Sequence, residues 1–594
     1  MAKWMVSAKK ADFGLLADTF HISPVTARLL RNRDLLNEEE IAAYLSGSLS
    51  SCHDPFLLPD VEKGARLTAD AQAAGEKILI VGDYDVDGIC ATALLMRGLR
   101  TPGARVSFRI PHRVHDGYGI STAIVEEARE QGISLILTCD NGIAAREQTL
   151  LAHSYGMRVV ITDHHEIPLD ADSGGAMLPS ADAVIDPCRK DTGQSYPFAG
   201  ICGTVVAYKF LQVLFTLTGQ EERFSELQGA MVELCALATV CDVMDLKDEN
   251  RILVREGMRR MRDSAIPGLK SLIGVTGLAG QDITTTMLGF VLGPCLNASG
   301  RLDDATRAVG LFLNEDEAQA VREAQLLKDL NESRKQMTTR YTQQAIEQIE
   351  GTQGELPGIL VAYLEDAHES VAGIVAGRLR EHYARPAIVL TKGEEGIKGS
   401  ARSVPACDIF RTMTACEKLL QKYGGHPLAC GMTLKEGVTP QMLLRSLNEA
   451  CTLTSEDLEE VLHLDMELAP SYLTIPLVEE WNRVLAPFGN GNARPLFAAR
   501  NIRLLGARAL GRDGRVGKYR VRDEEGTVAD MLLFRGKDRF DAFLKEHFGE
   551  EALHAVCNGR GEDVSVTIKI AYTPDINEYR GERKLQLILE DYMI

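Results

Sequence analysis

The chain has 594 residues, too many for a single hydrophobic core, and we expect three or four domains. Hydrophobic residues make up 45% and charged residues 25% of the composition, as in ordinary globular proteins. The longest apolar runs fall short of the ~20 residues that a membrane span needs, and the first residues, MAKWMVSAKK, lack a signal-peptide pattern. Thirteen scattered cysteines without a CxxC pair predict a reduced, cytoplasmic protein with no disulfide framework, no structural zinc and no membrane contact.

The net charge of −19 argues against a general polyanion binder, but one segment departs from it. The basic island, residues 494–522, holds nine cationic residues against the single acid Asp513. Its cations are Arg494, Arg500, Arg503, Arg508, Arg512, Arg515, Lys518, Arg520 and Arg522. Two interpretations stay open at this point: a surface reserved for an anionic ligand, or the solvated face of a sheet.

Residues 70–245 alternate short aliphatic strands with helical patterns. The predicted strands are KILIVG (77–82), RVSFRIP (105–111), SLILTCD (134–140), RVVITD (158–163) and DAVIDP (182–187). Near-continuous aliphatic strands separated by helices indicate a parallel sheet covered on both faces. In such sheets, ligand sites form at the carboxyl ends of the strands.

The rest of the chain predicts three further regions. Residues 307–350 have helical periodicity and predict one long connecting helix. A second α/β pattern covers residues 357–453, and a strand-rich region with turn signals from about residue 468 favours a small β-barrel. The predicted domains are an N-terminal segment (1–65), an α/β domain (66–306), the connecting helix (307–352), a smaller α/β domain (353–460) and a barrel (461–594).

Acidic side chains collect where the predicted strands end. Asp83, Asp85 and Asp87 follow the first strand, Asp140 ends the third, and Asp163, His164 and His165 follow the fourth; Asp242 closes the segment ALATVCD at a helix or strand end. Each motif alone would be read as a solvated turn or a capped loop. Together, in order within one domain, they predict a divalent metal site, because clustered carboxylates repel one another unless a cation neutralises them.

The ligand types restrict the metal. Oxygen ligands suit magnesium or calcium, whereas an added imidazole shifts the preference toward manganese or another transition metal. Two ions bridged by a carboxylate are the usual arrangement for hydrolysis of phosphate esters.

Four segments, GDYDVDG, LTCDNG, ITDHH and TVCDV, resemble the signature motifs of the DHH phosphoesterase superfamily. Four later ones, GPCLNASGRLDD, GSARSVP, GGHPLACGMTL and LAPFGNGNARPLF, resemble its RecJ branch in particular. The resemblance implies a parallel-sheet DHH domain, a long connecting helix, a smaller α/β DHH-associated domain and a C-terminal oligonucleotide-binding (OB-fold) β-barrel.

The resemblance also implies ligand roles. Asp140 would bridge two ions, Asp87, His164 and Asp242 would complete one site, Asp85 would hold the other with Asp83, and His165 would steady the phosphate or a bound water. Many family members have a histidine ligand where this chain has Val81. The second ion is then either weakly held or supported by Asp83.

Other motifs predict contacts with the substrate. Gly424, Gly425 and His426 form a glycine loop that would approach a phosphodiester, or else an ordinary turn. Arg301, after a small-residue turn, would contact a phosphate or pair with Asp303 or Asp304. Arg113, Ser400 and Arg402 would form a pocket for a 5′-terminal phosphate, since a monoester calls for guanidinium groups and a hydroxyl; otherwise Arg113 pairs with Asp116 and Arg402 lies on the surface.

In the barrel, Phe488, Phe497 and Tyr519 are candidates for base stacking, with core packing expected for at least two of them.

The resemblance therefore predicts a 5′→3′ exonuclease that hydrolyses single-stranded DNA in repair and recombination, with up to two Mn²⁺ or Mg²⁺ ions. A helicase and a single-strand-binding protein are the expected partners. Two alternatives are a phosphodiesterase for short oligonucleotides or cyclic dinucleotides and a non-catalytic nucleic-acid-binding scaffold. Physiological metal, processivity, activity on RNA and oligomeric state do not follow from the sequence.

Overall fold

The computed structural model describes residues 2–113, 115–170, 174–193, 195–351, 354–393, 396–454, 456–511 and 514–594. The chain divides into two compact units. One unit is Ser48–Leu458, and the other combines Met1–Gly47 with Glu459–Ile594.

The larger unit contains the predicted parallel sheet. Its five strands lie side by side in the order Arg105–Arg109, Lys77–Val81, Leu135–Cys139, Arg158–Thr162 and Ala183–Ile185, all parallel. The chain leaves the Lys77–Val81 strand toward one side and returns to its other side, so the strand order reverses beside it. A crevice forms at such a switch point, outside the carboxyl ends of the strands.

Helices cover this sheet and form the main core. They are Val61–Ala73, Val86–Leu99, Thr122–Glu130, Arg146–Ser154, Gly203–Leu217, Glu221–Cys241, Asp248–Met261, Pro267–Val275 and Gly293–Leu302. Among the described residues, one helix, Glu221–Cys241, is long and apolar enough to cross a membrane, and 61% of its most apolar stretch is buried within the protein.

The connecting helix is interrupted, which corrects the prediction of one continuous helix. A short helix, Thr306–Leu313, ends at Asn314, whose backbone is extended. The long helix, Glu317–Glu350, begins after Asp316, whose side chain accepts a hydrogen bond from the Gln319 N–H at 2.9 Å. The capping aspartate explains the break, because its side chain satisfies an amide that starts a new helix. Residue 352, the predicted end, lies outside the described residues.

The second α/β region has a mixed five-stranded sheet. In spatial order its strands are Leu420–His426, Ala429–Leu434, Gly396–Arg402, Ala387–Gly393 and Leu360–Tyr363. Only the last pair is parallel. The helices are Glu369–Tyr383, Ile409–Ala415 and Pro440–Ala450.

The smaller unit contains a closed five-stranded barrel, as predicted. Its strands are Phe497–Leu510, Val516–Arg522, Val528–Leu533, Thr567–Tyr579 and Glu582–Met593, and helices Ile475–Val484, Lys537–Phe548 and Glu550–Cys557 accompany them. The long first strand pairs with both the second and the fourth, which closes the ring. Phe497 and Tyr519 are fully buried in its core, as expected for two of the three aromatic candidates, and Phe488 is half-buried beneath Arg494.

The N-terminal residues of this unit pack on the barrel. This segment forms three helices, Phe13–Phe20, Pro24–Asn32 and Glu38–Ser46, and the second and third of them contribute Leu29, Leu30 and Ile41 to the barrel core. The strand Lys3–Val6 pairs with Val461–Leu464. Nothing in the sequence pattern of residues 1–65 predicted this long-range packing.

The barrel presents part of the basic island on one outer face. Arg503 lies opposite Arg522 and Arg508 opposite Lys518 across the first two strands, while the alternate residues Tyr519 and Val521 face the core. Arg522 pairs with Glu562 at 2.6 Å and Lys518 with Asp530 at 2.6 Å, whereas Arg508 and Arg520 are exposed. Arg512 and Asp513 lie outside the described residues. Carboxylates therefore pair with some cations of the island, while others face solvent.

Candidate active site

The strand Lys77–Val81 is followed by a loop that contains three aspartates, and an aspartate side chain shapes this loop through hydrogen bonds. Asp85 precedes the helix Val86–Leu99, and its Oδ1 accepts hydrogen bonds from the N–H groups of Asp87 (2.9 Å) and Gly88 (3.1 Å). A Cβ on Gly88 would lie 2.5 Å from the Asp83 nitrogen, so only glycine allows the loop to fold onto the helix. This tight turn brings all three aspartates to the carboxyl end of the sheet.

Asp87 is fixed by the start of another helix. Its two carboxylate oxygens accept hydrogen bonds from Gly203 N (2.7 Å) and Thr204 N (2.8 Å), the first residues of helix Gly203–Leu217. The free N–H groups and the dipole at a helix start stabilise a negative charge. A Cβ on Gly203 would lie 2.7 Å from Asp140 Cβ, so this glycine lets the two carboxylates approach each other.

His164 joins carboxylates from three different elements. Its Nε2 lies 3.1 Å from Asp140 Oδ1, 3.5 Å from Asp87 Oδ2 and 3.7 Å from Asp242 Oδ2. Asp140 has a positive φ of 59°, which turns its side chain back toward the sheet edge. Asp242 follows the helix Glu221–Cys241, so a helix end, not a strand end, supplies the last carboxylate.

These side chains form three overlapping groups whose ligand atoms lie within 4.8 Å of one another. The groups are Asp140, His164 and His165; Asp87, His164 and Asp242; and Asp83, Asp85 and Asp140. Among the described residues, Asp83 Oδ1 is buried without a hydrogen-bond partner. A buried, unpartnered carboxylate oxygen in an oxygen-rich group with one imidazole nearby fits a divalent cation such as Mg²⁺ or Mn²⁺.

The electrostatics of this acidic cluster (Asp83, Asp85, Asp87, Asp140, His164 and Asp242) show its need for positive charge. Burial, and then the charges of Asp87, Asp85 and Asp83, raise the pKa of Asp140 well above its ordinary value. Burial and the charge of Asp85 do the same to the pKa of Asp83. Burial, followed by Asp87 and Asp85, raises the pKa of Asp242 to about 8. Without a cation, the cluster therefore binds protons.

His165 has a different environment from His164. Burial lowers the pKa of His165, but the hydrogen bond that Nδ1 donates to Asp163 Oδ1 (2.7 Å) and the Asp163 charge outweigh it and raise this pKa to about 9. Burial lowers the pKa of His164 and favours its neutral form. Asp163 also accepts hydrogen bonds from Ile143 N and His164 N, so it holds the loop while the histidines face the site.

The Val81 side chain is fully buried in a core of aliphatic residues. Its carbonyl accepts a hydrogen bond from Asn141 Nδ2 at 3.0 Å. The position at which the family resemblance implied a histidine ligand is therefore hydrophobic here. The neighbouring candidate group, Asp83, Asp85 and Asp140, consists of carboxylates alone.

Sequence reasoning missed several residues that shape the site. Tyr118 Oη donates to the Asp140 carbonyl at 2.8 Å and lies 3.2 Å from the His165 ring nitrogens. Asn141 Oδ1 accepts from Ile120 N at 3.1 Å, which ties the Tyr118 loop to the Asp140 loop. The glycines around Tyr118 and the Asn-Gly pair after Asp140 were the available signals.

A second group of like charges, the arginine cluster (Arg113, Arg301 and Arg402), lies beside the acidic cluster. Arg113 stacks over the Tyr84 ring, with its guanidinium carbon 4.6 Å from the centroid. Burial, and then the charges of Arg113, Arg334 and Arg402, lower the pKa of Arg301 to about 9. Burial and Arg113 also lower the pKa of Arg402. Over the described ranges, none of the three guanidinium groups pairs with a carboxylate.

Two carboxylates considered as partners for these arginines pair elsewhere. Asp116 pairs with Arg109 (3.2 Å) and Asp303 with Arg307 (2.6 Å), not with Arg113 or Arg301. Arg301 lies in the helix Gly293–Leu302 rather than after a turn, and Nη1 donates to the Ser370 carbonyl at 2.7 Å.

Arg402 contacts a residue that lines a cavity. Its Nη1 donates to Ser400 Oγ at 3.1 Å, and Arg113 and Ser400 are among the residues that line a cavity of about 310 Å³. A Cβ on Gly373 would lie 2.8 Å from Arg402 Nη2 and 2.9 Å from Ser400 Oγ, so this glycine lets a helix pass over the pair.

The predicted glycine loop is a β-hairpin. Gly424, Gly425 and His426 end one strand, and the next strand begins at Ala429. Gly425 has a φ of 149°, and a Cβ there would lie 2.3 Å from the Ala429 carbonyl oxygen. These three residues are exposed, and Gly431 from the returning strand lines the cavity.

Comparisons with known proteins agree with this architecture. Family models match over residues 77–239 (DHH family, N-terminal domain), 357–455 (DHHA1 domain) and 464–591 (RecJ OB domain). Fold and site together define a phosphoesterase of the DHH class.

Curated relatives identify the branch. The chain is 33% identical to the single-stranded-DNA-specific exonuclease RecJ of Bacillus subtilis, over 97% of this chain and 69% of the relative. It is 32% identical to that of Escherichia coli, over 96% of both. A crystal structure of RecJ from Thermus thermophilus in complex with Mn²⁺ aligns with a TM-score of 0.80 and 25% identity, over 100% of this chain and 79% of that one. The chain belongs to the RecJ family.

Proposed function

We propose that this protein is a metal-dependent exonuclease that hydrolyses single-stranded DNA from the 5′ end in repair and recombination. The observation that carries the proposal is the pair of oppositely charged clusters on either side of Tyr84. Asp83 and Asp85 flank this residue in the chain, and Arg113 stacks on its ring. One cluster suits cations that act on a phosphodiester, and the other suits a terminal phosphate.

Asp140, Asp87, His164 and Asp242 would hold one cation, and Asp83 and Asp85 would share Asp140 with a second. A bound pair of such ions supplies an activated water and neutralises charge on the displaced oxygens. His165, whose raised pKa keeps it cationic at neutral pH, would donate a hydrogen bond to a phosphate oxygen. Asp163 and Tyr118 orient His165 for this contact.

The arginine cluster would give the enzyme its preference for the 5′ end of a strand. A terminal phosphate monoester carries more charge than an internal diester, and guanidinium groups bind it through paired hydrogen bonds. Burial and neighbouring guanidinium charges, that of Arg113 among them, lower the pKa values of Arg301 and Arg402, and an anion between the three arginines would relieve this repulsion. Arg113, Arg301, Arg402 and Ser400 would form the 5′-phosphate pocket.

The barrel and the intact carboxylates favour this function over its alternatives. A scaffold that only binds would not need five buried or half-buried carboxylates that repel one another. A phosphodiesterase for very short substrates would not need the exposed arginines of the barrel, which suit a longer strand. Gly424, Gly425 and His426 would contact the same strand on the DHH-associated domain.

We further propose a cytoplasmic location, with a helicase and a single-strand-binding protein as partners. All thirteen cysteines are free, as in a reducing compartment. An enzyme restricted to single strands requires another protein to open the duplex.

The proposal is tested by digestion of end-labelled 50-mer single strands, the matching duplex and a 3-mer, with Mn²⁺ or with a chelator. We expect rapid Mn²⁺-dependent release of nucleotides from the single-stranded 50-mer and little from the blunt duplex. Equal rates on duplex and single strand, faster cleavage of the 3-mer, or full activity with the chelator would contradict the proposal.

A further inference from the structure

Two apolar side chains near the end of the helix Glu221–Cys241 are exposed to solvent. Val243 is 65% exposed and Phe290 is 76% exposed. Single exposed apolar residues are common on soluble proteins and need no explanation by themselves. These two differ because each is presented by an unusual backbone conformation.

Val243 has a φ of 58°, a value that β-branched residues rarely adopt. It ends the helix Glu221–Cys241 with a turn in which Met244 N donates to the Thr239 carbonyl at 3.1 Å. Glycine usually occupies this position, because it adopts the left-handed conformation without strain. The chain instead keeps a strained, exposed valine directly after a candidate metal ligand.

Phe290 lies in a π-helical turn, Leu288–Leu292, a rare conformation that occurs often at functional sites. The turn is anchored on the residues that precede Asp242. Cys241 Sγ lies 3.6 Å from the Leu288 carbonyl oxygen, and a Cβ on Gly293 would lie 2.3 Å from the same sulfur. The anchored turn leaves the Phe290 side chain exposed to solvent, on a segment that packs against Cys241, the residue before Asp242.

The π-turn continues into the helix Gly293–Leu302, which links both ends of the site. This helix is about 15 Å long and carries Arg301 near its far end, where a Cβ on Gly300 would lie 2.6 Å from the Tyr84 carbonyl. One end of the helix therefore carries a member of the arginine cluster, and the other packs against Cys241, the residue before Asp242. A strand with its 5′ phosphate at Arg301 and its first diester at the acidic cluster would continue toward Phe290.

We propose that Phe290 and Val243 form a platform that stacks a nucleobase on the 3′ side of the cleaved bond. Stacking on an aromatic ring suits an enzyme that acts on any sequence, because every base has a π-face. The platform rests on the proposed single-strand exonuclease function and adds that a base, not only the backbone, positions the substrate. Both residues are positioning residues, since neither contacts the reacting atoms.

The test compares wild type and Phe290→Ala on 5′-phosphorylated single strands with normal bases or with abasic positions just 3′ of the first cleaved bond. Loss of the stacked base should slow wild type about tenfold, within the roughly 5- to 150-fold range for one stacked base. Phe290→Ala should be slowed to a similar extent on the normal strand, mainly in kcat/KM, and should lose little more on the abasic strand. Phe290→Trp should keep both the rate and the sensitivity to the missing base.

Val243→Gly provides a second measurement. Removal of the strained valine should raise the melting temperature, yet the variant should be slower on the normal strand and less sensitive to the abasic position. Leu150→Ala, which removes an exposed apolar side chain from another helix of the same domain, is the control and should match wild type on both strands.

The outcomes separate the two proposals. If wild type does not degrade single strands with Mn²⁺, the proposed function fails. If wild type degrades them but abasic positions have no effect, or if Phe290→Ala stays as sensitive to them as wild type, the stacking platform is wrong and the function stands.

Discussion

The acidic cluster and the arginine cluster are opposite in charge, but burial and like-charge repulsion affect both in the same way. In each, side chains of one sign lie together in a partly dry environment. The pKa values of Asp140 and Asp242 in the first cluster, and of Arg301 and Arg402 in the second, shift toward the neutral form. The like charges within each cluster repel one another, so a ligand of opposite charge stabilises each of them. Cations and a terminal phosphate satisfy the two clusters together, and this pairing underlies the proposed reaction at a 5′ end.

The largest effect is expected from a substitution at the centre of the acidic cluster. Asp140→Ala removes the carboxylate that belongs to two of the three candidate ligand groups, and we expect a loss of activity of at least about 10³-fold. The metal-free variant should melt at the same temperature as wild type or higher, because one like charge is gone. Activity above a tenth of wild type, measured on single strands with Mn²⁺, would refute the shared role of Asp140.

A substitution of Gly203 tests the geometry of the acidic cluster without removing a charge. In Gly203→Ala, the new Cβ would lie 2.7–2.9 Å from Asp140 and would push the two central carboxylates apart. We expect a loss of about 100-fold in activity and weaker Mn²⁺ binding by titration calorimetry. Gly274→Ala, in a helix where a Cβ meets open space, is the matched control and should stay near wild type. Wild-type Mn²⁺ affinity in Gly203→Ala would show that the clash is absorbed elsewhere.

The two clusters also differ in how far the sequence predicts them. Asp83, Asp85, Asp140 and His164 could be assigned to one site because parallel strands carry their ends to one edge. The arginines come from segments far apart in the chain, and the family resemblance grouped Arg113 with Arg402 but left Arg301 apart. Their proximity depends on how the two α/β regions of the larger unit pack, which no local pattern encodes.

The same limit explains the other differences from prediction. Asp316, a residue type that often caps helices, was the sequence signal for the break at Asn314. The helical periodicity on both sides of it favoured one continuous helix instead. The packing of residues 1–47 on the barrel joins opposite ends of the chain and leaves no local signal. The Gly424–His426 segment was read as a loop because glycines usually mark turns, whereas here they allow the close approach of two strands.

The pKa shifts predict how metal binding depends on pH. In the metal-free protein, the pKa values of Asp83, Asp140 and Asp242 are raised above their unfolded values, so the folded state binds extra protons and loses stability as the pH rises toward 8. Mn²⁺ must displace those protons, and its stabilising effect should therefore grow with pH. We expect the rise in melting temperature on adding Mn²⁺ to be several degrees larger at pH 8 than at pH 6.

A matched variant checks this assignment. Asp242→Asn removes the carboxyl whose pKa is raised to about 8 and should flatten the difference between the two pH values. An equal rise at pH 6 and pH 8 in wild type would contradict the proposed protonation of the acidic cluster.

The smallest expected effect concerns the exposed arginines of the barrel. Arg508→Ala combined with Arg520→Ala should make binding of a long single strand less dependent on salt, lowering the slope of log K against log salt by about 1.4. Arg445→Ala, an exposed arginine on a helix of the other unit, should leave the slope unchanged. An unchanged slope in the double variant would show that this face of the barrel does not bind the strand.

The pairing of the two clusters is tested most directly by the rate ratio for 5′-phosphorylated and 5′-hydroxyl single strands in wild type and Arg402→Ala. Loss of one charge-assisted contact costs about 1.5–3 kcal/mol, or roughly 10- to 150-fold. We predict that Arg402→Ala slows degradation of phosphorylated strands by about this factor and leaves hydroxyl strands much less affected, so the wild-type preference shrinks. A ratio equal to that of wild type would show that the arginine cluster does not bind the terminal phosphate.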